Sequence, residues 1–421
     1  MENRQRLIIN GGKRIEGELR VHGAKNSALP LLSAAVLAHG ECVFHNCPQL
    51  SDADAACRIL EKLGCKCRRT ADTVTVDAAN VVGYEIPDNL MREMRGSIVF
   101  LGSLLGRTGK CRLSFPGGCE LGARPIDLHL SALRQMGAKI TEEHGYLECE
   151  APGGLHGAKI TLSFPSVGTT ENILLAAASA KGFTEIHNAA REPEIIDLAE
   201  CLNKFGASIR GAGESVIEIE GKERLSPAEH TVIPDRIVAG TYLCAAAITR
   251  GELILTNCAP EHMNGFTPVL EAMGARIYGY GGGKMYLNCK KTLQAPPTIR
   301  TMPYPGFPTD IQAPFTALCS TAEGTSVFVE TIFENRFRHI SELVRLGASI
   351  KVEGRVCVVE GVKTLSGAKV RAAELRGGAA LVVAALAAEG TSEISGVGYI
   401  ERGYESIENA LRSVGADIKK V

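Results

Sequence analysis

The sequence has no long apolar run and no strong excess of charge. No segment approaches the roughly 20 apolar residues that a membrane-spanning helix needs, and the polar N-terminus lacks the apolar core of a signal peptide. The 46 Lys and Arg residues nearly balance the 47 Asp and Glu residues, which gives a formal net charge of −1. This balance excludes a global basic field for nucleic acid or membranes. We expect a cytoplasmic protein whose anionic ligands are held by local basic clusters.

Cysteine pairs with metal-binding spacing are also absent. The 14 cysteines include no CxxC pair, and most lie among apolar or small residues, as Cys244 and Cys319 do. We interpret them as buried, reduced thiols of a cytosolic protein. A disulfide scaffold does not suit a chain of 421 residues that is 45% hydrophobic. That length favours two domains of similar size.

A phrase of the form apolar-Gly-small-x-Ile recurs and indicates an internal repeat. Five copies and a degenerate sixth have their glycines at positions 64, 137, 206, 274, 347 and 415. Each phrase follows an amphipathic stretch and precedes alternating residues. The glycine is therefore predicted to end a helix with a positive φ before a strand begins. Each unit is predicted to be strand-helix-strand-helix-strand, about 70 residues long.

Six such units suggest two domains of three units each. The alanine-rich segments 173–180 and 379–388 are apolar all round, which favours helices that are buried inside each domain. We therefore predict an α/β (α+β) fold with helices inside and sheets outside.

Four glycine-, proline- or hydroxyl-rich segments carry residues suited to chemistry. In 114–129, Cys119 lies between small residues with Arg124 nearby; it is either an ordinary loop cysteine or an accessible, reactive thiol. In 304–312, Asp310 stands at a predicted helix start, as a first-turn acid or as a general base. Lys25 begins a third helix, where a cation is favourable beside a bound anion. The helix entry 165–170 suits either a diphosphate or a plain N-cap.

Together these segments resemble the UDP-N-acetylglucosamine 1-carboxyvinyltransferase family, from about Leu7 to Val421. The matching phrases are GAKNSALP, PGGCELGARPIDLHL, FPSVGTTEN, AAREPEI, PYPGFPTDIQAPF, FENRFRH and ERGYE. The resemblance implies two inside-out barrel domains of three βαβαββ-type repeats, at 1–23 plus 234–421 and at 24–233. It also implies a substrate cleft between them, with the Cys119 loop as its lid.

The resemblance further implies roles for individual residues. The implied catalytic residues are Cys119, Asp310, Lys25 and Arg402. Phosphoenolpyruvate would be bound by Lys25, Asn26, Arg95, Arg124 and Arg402. UDP-N-acetylglucosamine would be bound by Asn26, Arg95, Arg124, Pro125, Ile126, Asp127, Leu128, Ser166, Val167, Gly168, Asp310 and Ile332. Arg376 is a further candidate, because guanidinium groups bind phosphate and carboxylate bidentately.

The implied reaction is an addition followed by an elimination, in the first committed step of peptidoglycan precursor synthesis. Cys119 would protonate C3 of phosphoenolpyruvate, and Asp310 would accept the proton of the attacking sugar 3'-hydroxyl. The adduct would then lose a C3 proton and phosphate. The family also implies a covalent adduct on Cys119 and alkylation of Cys119 by fosfomycin. It implies no cofactor, metal, nucleic acid or membrane insertion, and we expect a monomer or weak homo-oligomer.

Two alternative functions stay open. 3-Phosphoshikimate 1-carboxyvinyltransferase shares the fold and the donor, but the GAKN and PGGC phrases argue against it. A non-catalytic paralogue that binds UDP-sugar is disfavoured by the retention of the four implied catalytic residues. The glycine-rich segment 278–284 lacks the spacing of a phosphate loop and is predicted to be a hairpin turn.

The sequence also departs from relatives at a few positions. It has no Trp, so Val99 is expected where some relatives have an aromatic residue. Glu374 replaces a common Asp, and Phe164 replaces a Lys found in some relatives. These changes affect the expected packing around the substrate.

Overall fold

The computed structural model describes residues 5–94, 96–114 and 126–421. Contacts divide the chain into two compact units. Unit 1 contains residues 5–22 and 234–421, and unit 2 contains the described residues from 23 to 233. The domain boundaries that the resemblance implies, 1–23 plus 234–421 and 24–233, stay a prediction.

The secondary structure consists of short strands and helices in regular alternation. The strands are β1 (Arg6–Asn10), β2 (Glu16–Arg20), β3 (Glu41–His45), β4 (Lys66–Thr70), β5 (Thr73–Asp77), β6 (Glu85–Ile86), β7 (Lys110–Ser114), β8 (Lys139–Glu143), β9 (Tyr146–Glu150), β10 (Lys159–Thr161), β11 (Phe183–His187), β12 (Ser208–Arg210), β13 (Val216–Glu220), β14 (Glu229–Thr231), β15 (Glu252–Thr256), β16 (Arg276–Tyr280), β17 (Lys284–Asn288), β18 (Thr298–Arg300), β19 (Thr325–Val329), β20 (Ser349–Glu353), β21 (Val356–Glu360), β22 (Lys369–Arg371), β23 (Thr391–Ser395) and β24 (Asp417–Lys420). The α-helices are α1 (Lys25–Ala34), α2 (Ser51–Lys62), α3 (Asp88–Glu93), α4 (Phe100–Thr108), α5 (Asp127–Gln135), α6 (Val167–Ala177), α7 (Pro193–Phe205), α8 (Arg236–Ile248), α9 (Thr267–Ala272), α10 (Thr309–Cys319), α11 (Ile340–Arg345), α12 (Leu375–Ala387), α13 (Val397–Ile400) and α14 (Ile407–Ser413).

Each unit has three four-stranded sheets with one common topology. In the sheet β10-β11-β13-β12, the first two strands are parallel and β13 is antiparallel to both of its neighbours. The other sheets are β14-β3-β5-β4, β6-β7-β9-β8, β2-β15-β17-β16, β18-β19-β21-β20 and β22-β23-β1-β24. The strand-helix-strand-helix-strand unit predicted from the residue pattern was therefore one strand too short, and the repeat is βαβαββ, as the resemblance implies.

The six repeat glycines have the predicted conformation. Their φ angles lie between +93° and +109°, in the region where a side chain is strained and glycine is not. Each glycine follows the last helix of its repeat and turns the chain into a strand, as Gly206 does after α7. The periodic phrase thus marks the helix ends, which confirms the repeat.

The core of each unit is a set of buried helices covered by the sheets. In unit 1, α8, α10 and α12 pack together, and every residue from Arg376 to Leu386 is buried. In unit 2, α1, α4 and α6 have the corresponding place. The strands alternate between buried and exposed residues, as in β13 and β21, so one face of each sheet packs inward. Helices inside and sheets outside are as predicted.

Three further observations concern the cysteines, the glycine-rich hairpin and the helix lengths. Of the thirteen cysteines in the described part of the chain, eleven are buried and none forms a disulfide. β16 and β17 pair antiparallel with Tyr280 opposite Lys284, so the glycine-rich segment is a hairpin turn. No helix within the described ranges is long and apolar enough to cross a membrane.

Candidate active site

In unit 1, helices α10 and α12 begin beside each other and present Asp310 and Arg376. Helix α10 starts after Pro308, a residue that suits a helix start because it has no N–H to satisfy. Asp310 lies in the first turn of α10 and is not its cap. One carboxylate oxygen of Asp310 accepts from Arg336 at 2.9 Å, and the other accepts from Arg376 at 3.2 Å. Two guanidinium groups therefore fix the orientation of this carboxylate.

Arg336 is held in place by the start of α10. Its side chain is 2% exposed, and Nη2 also donates to the Thr309 carbonyl at 2.9 Å. Thr309 in turn donates through its hydroxyl to Glu330, which is 1% exposed. The other oxygen of Glu330 accepts the backbone N–H of Ile332 at 2.8 Å. The loop that carries Ile332 is thus tied to the helix that carries Asp310.

Arg376 is held from the other side. It is 3% exposed and donates to the Tyr404 hydroxyl at 3.4 Å, which lies 2.8 Å from the Thr241 hydroxyl of α8. Glu374 is the N-cap of α12 and accepts the backbone N–H groups of Arg376 and Gly377. The departure from Asp to Glu at position 374 therefore keeps the capping function.

His339 packs beside Arg336 and Gly377 and is 4% exposed. Burial, and then the charge of Arg336, lower the pKa of His339 to about 3. The imidazole is therefore neutral near pH 7, and it adds no third positive charge to the arginine pair around Asp310. Arg402 lies in the partly exposed turn that follows α13.

In unit 2, Lys25 and Asn26 form the first turn of α1. The ammonium group of Lys25 lies 2.7 Å from a carboxylate oxygen of Asp52, whose side chain is 2% exposed. Ser27, the next residue but one, donates to the buried carboxylate of Asp197. A buried carboxylate therefore offsets the unfavourable position of Lys25 at a helix N-terminus. Asn26 is exposed beside it.

The first turns of α5 and α6 meet in the same unit through His129. The Nδ1 atom of His129 lies 2.8 Å from the amide nitrogen of Asn172 in α6. A side chain added at Gly168 would lie 3.3 Å from the His129 ring. This contact brings two groups of predicted ligand residues together, namely Ile126, Asp127 and Leu128 with Ser166, Val167 and Gly168.

The hydroxyl of Ser166 caps α6 by accepting the N–H of Thr169 at 3.3 Å. The N-cap interpretation of this helix entry is therefore correct. The cap is compatible with binding of a diphosphate, because the other N–H groups at the start of the helix have no partner within the helix. Asp127 is exposed and Ile126 is buried.

Four predicted site residues lie outside the described residues: Arg95, Cys119, Arg124 and Pro125. Their roles stay predictions. Within the described ranges no group of three His, Cys, Asp or Glu side chains could hold a metal ion. The two sets of candidate residues belong to different units.

The chain is similar to known proteins over nearly its whole length. It is 53% identical to UDP-N-acetylglucosamine 1-carboxyvinyltransferase 2 of Caldanaerobacter subterraneus, over 98% of this chain and 99% of that protein. It is 49% identical to UDP-N-acetylglucosamine 1-carboxyvinyltransferase 1 of Symbiobacterium thermophilum, over 99% and 95%. A family profile described as EPSP synthase (3-phosphoshikimate 1-carboxyvinyltransferase) matches residues 9–411. The chain belongs to the UDP-N-acetylglucosamine 1-carboxyvinyltransferase family.

Solved structures agree with this family assignment. The enolpyruvyl transferase NikO from Streptomyces tendae matches with a TM-score of 0.89 at 26% identity, over 99% of both chains. EPSP synthase from Acinetobacter baumannii matches with a TM-score of 0.75 at 20% identity, also over 99% of both chains. At that identity the second match supports the fold alone.

Sequence reasoning missed several partners of the candidate residues in this member of the UDP-N-acetylglucosamine 1-carboxyvinyltransferase family. Arg336, His339 and Tyr404 lie inside the phrases FENRFRH and ERGYE, so the resemblance pointed to their segments. Asp52 and Glu330 lie outside every quoted phrase, and no spacing signal indicated them.

Proposed function

We propose that the chain transfers the enolpyruvyl group of phosphoenolpyruvate to the 3'-hydroxyl of UDP-N-acetylglucosamine and releases phosphate. The observation that carries this proposal is the Asp310 carboxylate, held by Arg336 and Arg376 where two buried helices begin. Relatives that are 45–53% identical over nearly full length carry this enzyme name.

Asp310 would orient the sugar hydroxyl and accept its proton. An ionised carboxylate has about four lone-pair positions and no donor. The two arginines bind one oxygen each, and the side chain of Asp310 is 27% exposed, so a substrate hydroxyl can approach the carboxylate. A fixed acceptor contributes to the rate by aligning the reacting oxygen before the transition state.

The remaining charges of unit 1 suit the anionic donor. Burial is the largest single influence on the pKa of Arg376 and lowers it, but Asp310, Tyr404 and Asp235 together raise the pKa overall, so the guanidinium group stays charged. Arg402 would supply a second guanidinium group for phosphate or carboxylate. Ile332 would contact the sugar nucleotide from the loop that Glu330 holds.

Unit 2 would supply the groups for phosphate and diphosphate. Lys25 would contact the phosphate of phosphoenolpyruvate, sharing its charge with Asp52, and Asn26 would bind both substrates. The N-terminus of α6, at Ser166, Val167 and Gly168, would receive the diphosphate of UDP, because helix N-termini favour anions.

Cys119 would complete the chemistry. Its thiol proton would pass to C3 of phosphoenolpyruvate while the sugar oxygen forms a bond to C2. Loss of a C3 proton and of phosphate would then restore the double bond and give the enolpyruvyl ether. Arg95, Arg124 and the residues 125–128 would bind the substrates beside it. The proposal needs no cofactor and places the reaction in the cytoplasm.

Phosphate release from phosphoenolpyruvate tests the proposal when two acceptors are supplied separately. With UDP-N-acetylglucosamine we expect phosphate and a product heavier by one enolpyruvyl group. Release with shikimate 3-phosphate alone would instead establish the alternative activity, and release with neither would favour a non-catalytic paralogue. Asp310→Asn should reduce turnover strongly, whereas Asp88→Asn, which removes a surface ion pair with Arg92, should not.

A further inference from the structure

Unit 1 contains a pocket of about 260 Å³ at the carboxyl ends of its three central helices. Its floor is apolar and includes Leu293, Leu318 and Leu365, and its rim carries charged side chains. Asp310 and Arg376 lie at the opposite ends of the same helices. Leu318 of α10 lines the pocket and follows Asp310 by eight residues, so at about 1.5 Å each roughly 12 Å separates the two residues along the helix. We call it the basal pocket, and it is separate from the candidate active site.

Three cations line the basal pocket: Arg250, Lys291 and Lys363. Across the described residues their side chains form no ion pair and donate no hydrogen bond. Glu389 is the one carboxylate in the lining, so the lining residues carry a net charge of +2. Uncompensated positive charge around a concave surface attracts small anions.

The two lysines come from the same position of two repeats. Lys291 and Thr292 follow β17, and Lys363 and Thr364 follow β21, with each lysine three residues after the end of its strand. In the third repeat of unit 1 the corresponding residue is Lys13, which pairs with Asp417 at 3.1 Å. The internal symmetry thus presents the same Lys-Thr pair twice to one pocket.

The fold itself does not require these cations. In unit 2 the residues three positions after the corresponding strands β5, β9 and β13 are Asn80, Gly153 and Glu223. There Arg107 of α4 reaches the carbonyls of Ala38 and Ala78, at 3.4 and 3.1 Å. An arginine side chain therefore occupies this end of unit 2, whereas the same end of unit 1 is open.

Helix capping does not account for the cations either. The last carbonyls of α8 accept backbone N–H groups, from Arg250 to Ala247 at 3.1 Å and from Gly251 to Ala246 at 2.8 Å. The Leu386 carbonyl of α12 accepts the N–H of Gly12 at 2.8 Å. These bonds already satisfy the helix ends, so the side chains of the basal pocket are left for a ligand.

We propose that the basal pocket binds a small phosphorylated anion through Arg250, Lys291 and Lys363, with the hydroxyls of Thr292 and Thr364 as further donors. Lysine binds phosphate as a point charge and arginine as a fork, and neither hydroxyl makes a hydrogen bond among the described residues. The volume suits a molecule somewhat smaller than a typical drug-sized ligand. The pocket takes no part in the proposed reaction, so the two proposals stand or fall separately.

Isothermal titration with inorganic pyrophosphate at fixed ionic strength tests the basal pocket. The double variant Lys291→Gln, Lys363→Gln should weaken one binding event by about tenfold or more. Lys290→Gln is the matched control, because Lys290 pairs with Glu252 at 3.0 Å and does not line the pocket. Binding of pyrophosphate at the candidate active site is common to both variants and cancels in the comparison.

One variant should instead increase the affinity for pyrophosphate. Glu389→Gln removes the negative charge from the lining and should tighten pyrophosphate binding about threefold. The proposal is overturned if the double variant and Lys290→Gln bind alike, or if the wild-type chain shows no binding beyond the active site up to about 10 mM. Circular dichroism should show that all of these surface variants keep the wild-type fold.

Discussion

The buried His129 of α5, which contacts Asn172 of α6, should make unit 2 sensitive to acid. His129 is 7% exposed, and burial lowers its pKa from 6.5 to about 4. The orientation of Asn172 fixes the tautomer. Its oxygen accepts from Gly102 at 2.7 Å and its nitrogen donates to the Ile98 carbonyl at 3.0 Å. The nitrogen therefore also donates to His129 Nδ1, and the imidazole proton resides on Nε2.

The sign and size of the effect follow from the two pKa values. Below pH 6.5 the unfolded chain binds a proton at His129 that the folded chain does not bind until about pH 4. The free energy of unfolding therefore falls as the pH falls, by about 1.4 kcal/mol per pH unit over this window. The full loss is about 3 kcal/mol at pH 4 and below, and the stability is fully present above pH 6.5.

His129→Asn isolates this contribution. The asparagine oxygen can replace Nδ1 as the acceptor for Asn172, and it does not titrate in this range. Urea unfolding followed by circular dichroism between pH 7.5 and 4.5 should show wild-type stability falling relative to the variant by about 2.5 kcal/mol. His144→Asn, at an exposed turn, controls for the loss of a surface histidine. Parallel stability curves for wild type and His129→Asn would refute the argument.

Three further predictions concern the candidate site and the repeat. Arg336→Lys should lower kcat by on the order of 100-fold in a steady-state assay, because a flexible ammonium group lacks the planar fork through which Nε and Nη2 hold the Thr309 carbonyl while Nη2 donates to Asp310; an unchanged kcat would contradict the orienting role. Cys119→Ser should lower turnover by roughly 10²–10⁴-fold while UDP-N-acetylglucosamine still binds in a titration, and mass spectrometry should place the fosfomycin adduct on Cys119 and on no other cysteine. Gly206→Ala, at φ +107°, should lower the free energy of unfolding by about 1–2 kcal/mol, whereas Gly281→Ala, with open space around it, should not.

The repeat was readable from the sequence because its signals are local. A glycine with positive φ at a helix end and a helix that is apolar all round both depend on neighbouring residues. The strand that was missed is the second strand of the hairpin that closes each repeat, such as β13 after β12. Its five residues alternate between exposed and buried positions, so the pattern was present in the sequence. The repeat phrase around the glycine predicts only the first strand of this hairpin.

The surroundings of the candidate residues could not be read in this way. Arg336 and Arg376 lie 26 and 66 residues from Asp310, and nothing in the intervening spacing predicts that they share one carboxylate. The Lys25 position shows the same limit. The charge of Lys25 suggested a bound anion. Asp52, which compensates this charge, lies on α2 and meets Lys25 only because α1 and α2 pack together in the folded unit.

The position of β1 between two strands from the other end of the sequence sets the order in which the units can fold during synthesis. β1 lies between β23 and β24, and the backbones of Arg6 and Val421 exchange hydrogen bonds at 2.8 and 2.9 Å. The sheet that contains β1 therefore cannot form until residues 417–420 have emerged from the ribosome. The segment 23–233 is synthesised before either strand that flanks β1, so it can collapse while both of these strands are still missing. An early stop codon that removes β24 would leave β1 with an open edge on the surface, where it could pair with another chain.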